Sequence, residues 1–363
     1  MKHFTNTIEC LGNGAPHTKE AAAFDAFFKK MGNNPNLHFV RVFITFDLSH
    51  KTEKLQDNIY FMMSQYQELL SDEVRLAMSL ARSLGQYQKK LHIDTANPEA
   101  DDRLYTQAHY GTLFKNLNAY AHYDEAYALL NTRLTRNNIK LETKGKIALD
   151  VGCGGGRYTL ALKKLGFEKV YGVDYSSMNI DTAGLRAKKI RNVFFKKADA
   201  HALPFKNNMF DFVFCNGVLH HSHSIRDGVK EIVRVMKPNG YGWLYLINKP
   251  GGIHWDTVEL LRRVMRPVQP EYARNTLRLL GVPENRIFFI LDHIMVPINI
   301  LSSSNEIERM IKENNITDFK RLERGADTDM IEKLWKLKKT GNDDKEMIWK
   351  YGSGEHRYYF RKS

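Results

Sequence analysis

The chain has 363 residues, of which 43% are hydrophobic and 26% are charged, a composition typical of globular proteins. No apolar run reaches 18 residues and the N-terminus lacks the apolar core of a signal peptide, so we expect neither a membrane span nor export. Cys10, Cys153 and Cys215 are an odd number at unrelated positions, which argues against a disulfide framework and favours a cytoplasmic protein.

Residues 1–140 are predicted to form a mainly helical N-terminal region, made of an arm and accessory or lid helices. Helical patterns cover residues 18–31, 52–92 and 102–137. The second pattern is expected to divide into two helices at Ser71 and Asp72, since either side chain can cap a helix. Residues 38–46 suit a strand or a buried helix equally.

Residues 141–249 show apolar strand patterns that alternate with amphipathic helices. Strands are predicted over 147–151, 169–173, 192–196, 210–215 and 241–247, and helices over 157–165, 177–190 and 225–236. This succession predicts an α/β fold with a parallel, doubly wound sheet.

The same region carries most of the net charge of +13, with 18 Lys and Arg against 9 Asp and Glu. Six of these cations form a short run: Arg186, Lys188, Lys189, Arg191, Lys196 and Lys197. Such a run is compatible with nucleic-acid binding, although a solvated helix face followed by an outer strand explains it as well.

Pro250, Gly251 and Gly252 interrupt the alternation, and residues 250–303 are predicted to form a helical cap insertion. Residues 304–363 are predicted to complete the sheet. They show helical patterns over 305–314 and 327–338 and strand patterns over 318–323 and 356–361.

The first predicted strand stops abruptly in glycines, in the stretch IALDVGCGGG from Ile147 to Gly156. Glycines allow positive φ and a close approach of ligand to backbone, and the helix that follows offers free N–H groups. NAD, FAD, nucleoside and phosphate sites all use such a turn, and a tight turn without a ligand has the same pattern.

Two acidic residues narrow these alternatives. Asp174 ends the second strand, where an acid can accept the hydroxyls of a ribose in NAD enzymes and in nucleoside-sulfonium enzymes alike, although an acid that stabilises a helix N-terminus shows the same pattern. Asp199 follows the third strand, where it can accept from the exocyclic amine of adenine. The end of the fourth strand, Asn216 to His221, faces the ligand crevice of a doubly wound sheet.

Five motifs in order resemble the class I S-adenosylmethionine-dependent methyltransferases, most closely the broad subgroup with ubiquinone-pathway and biosynthetic enzymes. They are LDVGCGGG at 149–156, GVDYS at 172–176, ADAHALPF at 198–205, FDFVFCNGVLHH at 210–221 and VMKPNGYGWLYL at 235–246. The resemblance implies a seven-stranded, mainly parallel sheet of order 3-2-1-4-5-7-6, S-adenosyl-L-methionine as cofactor, and methyl transfer.

The resemblance also implies cofactor-binding residues. Those for the methionine end are Asp150, Gly152, Cys153, Gly154 and Gly156, and those beside the sulfonium are Asn216, Gly217 and Val218. Asp174 is expected to take the ribose hydroxyls, Tyr175 to pack on adenine, and Asp199 and Ala200 to meet its edge. No metal is expected.

Methyl transfer from a sulfonium needs a base only where the nucleophile carries a proton. His220 and His221 are candidate bases by position, although a role in positioning the cofactor or a helix is the favoured alternative. Asp292 and His293 are a second candidate pair, which a buried structural pair explains as well. Candidate substrate contacts are Tyr110, Tyr123, His254 and Trp255, in competition with simple core packing.

Three functions remain open from the sequence. The leading hypothesis is a methyltransferase that modifies oxygen or nitrogen of a small metabolite or peptide. An RNA methyltransferase is the second, motivated by the basic sheet region. The third is a cofactor-binding partner subunit without catalysis, in which the N-terminal helices form an interaction arm.

Overall fold

The computed structural model describes residues 15–55, 59–88, 123–247, 252–340, 350–352 and 354–363. The chain divides into two compact units. We call them the helical unit (residues 1–100, 250–296 and 338–353) and the sheet unit (residues 101–249, 297–337 and 354–363).

The described part of the chain contains seven strands and twelve α-helices. The strands are β1 Ile147–Val151, β2 Lys169–Asp174, β3 Val193–Lys197, β4 Phe210–Asn216, β5 Met236–Leu246, β6 Asp318–Arg321 and β7 His356–Arg361. The helices are α1 Ala15–Met31, α2 His38–Glu53, α3 Ile59–Gln88, α4 Glu125–Arg136, α5 Arg157–Lys164, α6 Ser177–Ala187, α7 Ile225–Val235, α8 Gly252–Met265, α9 Pro270–Leu279, α10 Glu284–Ile294, α11 Ser304–Glu313 and α12 Met330–Lys339.

All seven strands form one sheet in the order β3-β2-β1-β4-β5-β7-β6. The first five strands run parallel, and β7 is antiparallel to both β5 and β6. The predicted α/β fold and strand order are therefore confirmed. Because β1, β2, β4 and β5 are parallel, their carboxyl ends share one edge of the sheet.

Each face of the sheet carries its own core, and β4 contributes to both. Val213 and Cys215 pack in one apolar cluster, whereas Phe212 and Phe214 pack in the other. Successive residues of a strand point to opposite faces, so a strand covered on both sides needs apolar residues throughout. This explains the apolar run from Phe212 to Cys215 in β4.

The helical unit corrects one prediction and resolves another. α3 continues without a break through Ser71 and Asp72, because the Ser71 hydroxyl donates to Gln67 O at 3.1 Å, inside the same helix. The predicted division at this point is wrong. Residues 38–46, which suited strand or helix, are helical and form the first part of α2.

The predicted cap residues pack with the N-terminal helices. The buried guanidinium of Arg41 on α2 donates to Val264 O of α8 at 2.6 Å and to Phe28 O of α1 at 2.9 Å. Residues 250–296 accordingly belong to the helical unit, whereas residues 297–303 belong to the sheet unit.

The predicted boundary at residue 140 does not separate the two units. The described residues 123–140 fall in the sheet unit, where α4 packs against α5. Among the described residues, none of the helices is long and apolar enough to cross a bilayer.

Candidate functional site

The turn between β1 and α5 requires its glycines. Gly152, Gly154 and Gly156 have φ angles of 71°, 52° and 87°, a region that side chains with a Cβ disfavour. A Cβ on Gly152 would lie 2.3 Å from Cγ2 of Val218. The turn therefore lies directly against the end of β4. Two of the predicted cofactor-binding segments, the glycine turn and residues 216–218, are thus in contact.

Asp174 at the end of β2 is bound to this turn. Its Oδ2 accepts the Gly154 N–H at 2.8 Å, and its Oδ1 accepts the Ser176 N–H at 2.9 Å and the Asn179 amide at 3.0 Å. Three donors hold the carboxylate in one orientation. The structure thus places the predicted ribose-binding acid beside the glycine turn.

Asp150, the penultimate residue of β1, is buried just before the turn. Its side chain accepts the Thr159 hydroxyl at 2.7 Å. Burial raises the pKa of Asp150 to about 7, and the nearby Asp174 adds to the effect. Burial also raises the pKa of Asp174, although its three donors oppose the shift. A cationic ligand would favour the ionised form of both groups.

The end of β4 meets the neighbouring strand β5 through Asn216 and Gly217. The indole N–H of Trp243 donates to Asn216 Oδ1 at 3.1 Å. Gly217 has a φ of 81°, and a Cβ there would lie 3.2 Å from the Tyr245 ring. Trp243 and Tyr245 lie in the fifth motif, residues 235–246, but the sequence analysis predicted no function for either residue.

His220 and His221 lie together in a short 3₁₀ segment after β4, with ring centroids 4.1 Å apart. The His220 ring is buried and meets Tyr245 edge-on at 5.8 Å. His221 Nδ1 lies 2.9 Å from Ile298 O. Since a carbonyl oxygen only accepts, Nδ1 carries the proton of this contact. Both histidines are thus oriented by neighbouring groups at the carboxyl edge.

Arg357 on the neighbouring strand β7 contacts Tyr245, the residue that meets His220. It pairs in register with Tyr245, and its guanidinium carbon lies 4.5 Å from that ring's centroid. Its Nη2 lies 3.2 Å from Asp329 Oδ1, which also accepts from Arg133 at 2.8 Å. Burial opposes ionisation of Asp329, but Arg357 and Arg133 hold its pKa well below the usual range. The sequence alone gave no signal for this contact.

The predicted adenine-edge segment follows β3. Asp199 O accepts the Ala202 N–H at 3.1 Å, so Ala200 lies inside a tight turn. Tyr175 is 42% exposed, with Lys197 Nζ 5.9 Å from its ring centroid. The exposed ring leaves Tyr175 accessible for packing on a base.

Of the predicted substrate contacts in the sheet unit, Tyr123 donates its hydroxyl to Arg186 O at 3.0 Å. Tyr110 lies outside the described residues. Its role stays a prediction, as does that of Tyr123.

The other predicted catalytic and substrate residues lie in the helical unit. Asp292 Oδ2 and His293 Nε2 are 4.0 Å apart, which is too long for a hydrogen bond. Trp255 meets both His254 and His293 edge-on, each at 5.3 Å between ring centroids. These contacts describe a packed aromatic cluster, and the substrate and catalytic roles stay predictions.

Thiol chemistry is disfavoured at the site. Cys153 and Cys215 are buried free thiols, and burial raises the pKa of both, so neither supplies a thiolate nucleophile. Within the described ranges, no group of three or more His, Cys, Asp and Glu side chains is arranged to hold a metal ion.

Residues 149–244 match the family described as a methyltransferase domain, in the sheet with the order described above. This part of the chain is a class I S-adenosylmethionine-dependent methyltransferase domain. The predicted family and its cofactor, S-adenosyl-L-methionine, are confirmed for this domain, and the activity of the whole chain is a proposal.

Similar curated proteins match about a third of the chain or less. The demethylmenaquinone methyltransferase of Geobacillus stearothermophilus is 34% identical over 141 residues, which cover 35% of this chain and 58% of that protein. The uncharacterized methyltransferase YcgJ of Bacillus subtilis (strain 168) is 34% identical over 94 residues, covering 25% and 37%. The chain therefore spans about half or less of the length of these relatives.

A solved structure, the SAM dependent methyltransferase from Aquifex aeolicus, shows 16% identity and a TM-score of 0.41 over 71% of this chain and 98% of that one.

Proposed function

We propose that this chain binds S-adenosyl-L-methionine at the carboxyl ends of β1, β2 and β4 and transfers its methyl group to an oxygen or nitrogen of a small metabolite or peptide. One observation carries the cofactor assignment. The hydrogen bond from the Gly154 N–H to Asp174 Oδ2, at 2.8 Å, unites the turn for the methionine end with the acid for the ribose.

The charge at this site fits a sulfonium better than a pyrophosphate. A dinucleotide brings anionic phosphates to its glycine turn, whereas Asp150 and Asp174 place two carboxyl groups beside this one. Their mutual repulsion contributes to the raised pKa of Asp150. A sulfonium cation relieves that repulsion. An acid at the end of the second strand also occurs in dinucleotide sites, so it is the buried Asp150 beside the glycine turn that favours S-adenosylmethionine over NAD or FAD.

The proposed chemistry is an in-line displacement at the methyl carbon, with the thioether as leaving group. Holding the acceptor atom and the methyl group in line supplies about 7–11 kcal/mol in well-oriented cases. The residues of the β4 end, from Asn216 to His221, line the place for this alignment. His221 is oriented to accept a proton at Nε2, because its Nδ1 donates to Ile298 O.

The acceptor is best sought first among quinone-like and other small biosynthetic compounds. Two relatives of the methyltransferase domain are named demethylmenaquinone methyltransferases, which supports including a demethylated naphthoquinol. His254, Trp255, Asp292 and His293 stay proposals for the acceptor side. A cytoplasmic location stays part of the proposal, and the buried free thiols Cys153 and Cys215 agree with a reducing compartment.

The test is methyl transfer from S-adenosylmethionine labelled in its methyl group. The acceptor panel contains a demethylated naphthoquinol, phenols, primary amines and short peptides. Label in a small product supports the proposal, and its loss in an Asp174→Asn variant assigns it to this site. Tight binding of S-adenosylhomocysteine without transfer to any acceptor in the panel, or in a cell extract, would favour the non-catalytic partner subunit instead.

A nucleic-acid acceptor is the second candidate function. Five cations that follow α6 or lie on the edge strand β3 are exposed: Lys188, Lys189, Arg191, Lys196 and Lys197. Exposed cations around an edge strand also prevent edge-to-edge pairing, which is the simpler explanation. Affinity for a single-stranded RNA that falls steeply with salt would favour the RNA alternative, and no measurable affinity would remove it.

A further inference from the structure

Asp199 is held by a histidine two residues further along the chain. The backbone N–H of His201 donates to Asp199 Oδ1 at 2.9 Å, and its ring Nδ1 lies 2.7 Å from the same oxygen. Two donors from one residue fix the position of that oxygen and restrict rotation of the carboxylate.

The other side of the His201 ring is anchored at the start of α7. Nε2 lies 3.0 Å from Ser224 O and 3.1 Å from Ser222 Oγ. The Ser222 hydroxyl donates to Leu219 O at 2.7 Å, so it faces the ring as an acceptor. Ser224 is the N-cap residue of α7. The ring therefore connects Asp199 to a capped helix.

Every polar contact of the ring is with an oxygen that accepts. Since a carboxylate oxygen only accepts, Nδ1 donates in its contact with Asp199. A hydrogen bond to an ionised carboxylate is charge-assisted, and such bonds are shorter and stronger than neutral ones.

The Asp199 side chain is more exposed than that of His201, as expected if Asp199 contacts a ligand and His201 supports it. The Asp199 side chain is 37% exposed and that of His201 is 22% exposed. The carboxylate is thus accessible from solvent, and the ring supports it from the more buried side.

We propose that His201 is a positioning residue for the cofactor, which holds the Asp199 carboxylate in the orientation that accepts the exocyclic amine of adenine. This inference rests on the proposed function, since it takes Asp199 as the group that meets the adenine edge. The competing explanation is a purely structural link between the segment after β3 and the start of α7.

The test compares two nucleosides by calorimetry: S-adenosylhomocysteine, and S-inosylhomocysteine, in which a carbonyl oxygen replaces the exocyclic amine. The natural chain is expected to bind the adenine compound about 10- to 100-fold more tightly, because the carboxylate accepts from the amine and repels the carbonyl. In His201→Ala the ratio is expected to fall to within about threefold of unity, as in Asp199→Asn. The double variant is expected to show no further loss, because the two residues act as one unit.

Two more variants serve as controls for loss of structure and for non-specific effects of replacing a histidine. His201→Asn keeps a donor close to the position of Nδ1 and is expected to recover part of the preference for adenine. His223→Ala removes an exposed histidine nearby and is expected to keep the full preference. Thermal unfolding of each variant shows that the binding data refer to folded protein.

The outcomes separate this inference from the proposed function. If His201→Ala weakens both nucleosides equally and keeps their ratio, His201 is a structural link and the inference is wrong. If the natural chain binds both nucleosides equally, Asp199 does not select the amine, and the inference fails while cofactor binding stands. If neither nucleoside binds the natural chain, the proposed function itself fails.

Discussion

The backbone N–H of Gly154 donates to Asp174 Oδ2 at 2.8 Å, which joins the turn after β1 to the acid at the end of β2. The same hydrogen bond fixes the distance between the glycine turn, proposed to bind the methionine end of S-adenosylmethionine, and Asp174, proposed to bind its ribose. Because the donor belongs to the backbone, substitutions that disturb the turn also disturb the acid.

Gly152→Ala is expected to destabilise the fold by about 2–4 kcal/mol and to weaken S-adenosylhomocysteine binding strongly. The added Cβ meets Val218 at 2.3 Å and forces an alanine to a φ of 71°, so overpacking and backbone strain add. Denaturant unfolding and calorimetry measure the two effects.

A matched control for this variant is Gly184→Ala on α6, where a Cβ meets nothing within 4 Å. Alanine favours the helix, so a gain of about 0.5–1 kcal/mol is expected there. Val218→Ala combined with Gly152→Ala should recover the part of the loss due to the clash. Equal stability of Gly152→Ala and the natural chain would contradict the tight contact between the turn and β4.

The affinity for S-adenosylmethionine relative to S-adenosylhomocysteine is expected to rise between about pH 6 and pH 8. Burial, helped by Asp174, raises the pKa of Asp150 to about 7. The sulfonium cation favours the ionised carboxylate, so the charged cofactor gains affinity as the proton leaves. Asp150→Asn should make the affinity ratio independent of pH in this range, and an unchanged slope in that variant would exclude Asp150 as its source.

The raised pKa of Asp150 also makes the stability of the fold depend on pH, but stability falls as the pH rises, whereas cofactor affinity increases. The folded chain favours the neutral form of Asp150, so this group stabilises the fold at low pH, and its contribution is lost as the pH rises through about 7. Unfolding free energies of the natural chain and Asp150→Asn, measured without ligand, should therefore converge at low pH and separate toward neutrality.

His356 is expected to make the fold sensitive to acid. The side chain is 1% exposed, and burial, with a contribution from Arg321, lowers its pKa to about 3. The unfolded chain binds a proton near pH 6.5, so the fold loses a few kcal/mol as the pH falls from there toward 3. His356→Leu should flatten this part of the stability profile, whereas exposed His223→Leu should leave it unchanged. Parallel profiles for His356→Leu and the natural chain would rule out this source.

Asp329→Asn is expected to cost about 3–5 kcal/mol, because it leaves the buried cations Arg133 and Arg357 without their shared anion. Asp327 offers a control two residues away: its side chain is 67% exposed and pairs with Lys336. Asp327→Asn should leave the unfolding free energy nearly unchanged, because exposed ion pairs contribute little to stability. Urea unfolding of both variants checks the difference, and similar losses at the two positions would contradict the buried network.

The positions of β1, β2 and β4 follow from the sequence, because each contains a short apolar run that ends at a turn or a polar residue. The strand order was implied by the resemblance to the methyltransferase family. Gly152, Asp174 and Asn216 lie where their motifs imply. The sequence could not predict the continuity of α3, since Ser71 caps a helix or bonds within one equally well. The structure shows that its hydroxyl donates to Gln67 O inside α3.

Contacts between residues distant in sequence were also beyond prediction. Val218 packs over Gly152, Arg357 lies on Tyr245, and His201 connects Asp199 to the start of α7. Each contact depends on strand register or on the packing of a loop against a helix, and neither has a local signature. The sequence identifies these residues but does not show which residues they contact.

The most direct test of the account is a calorimetric titration of S-adenosylhomocysteine into the natural chain and into Asp174→Asn. Asparagine places an amide where the Gly154 N–H needs an acceptor, and it weakens the site for the ribose hydroxyls. We predict one site per chain for the natural protein and an affinity at least about 100-fold lower for the variant. The exposed Asp181→Asn on α6 should bind as the natural chain does. No binding to the natural chain, or equal binding by Asp174→Asn, would contradict the account.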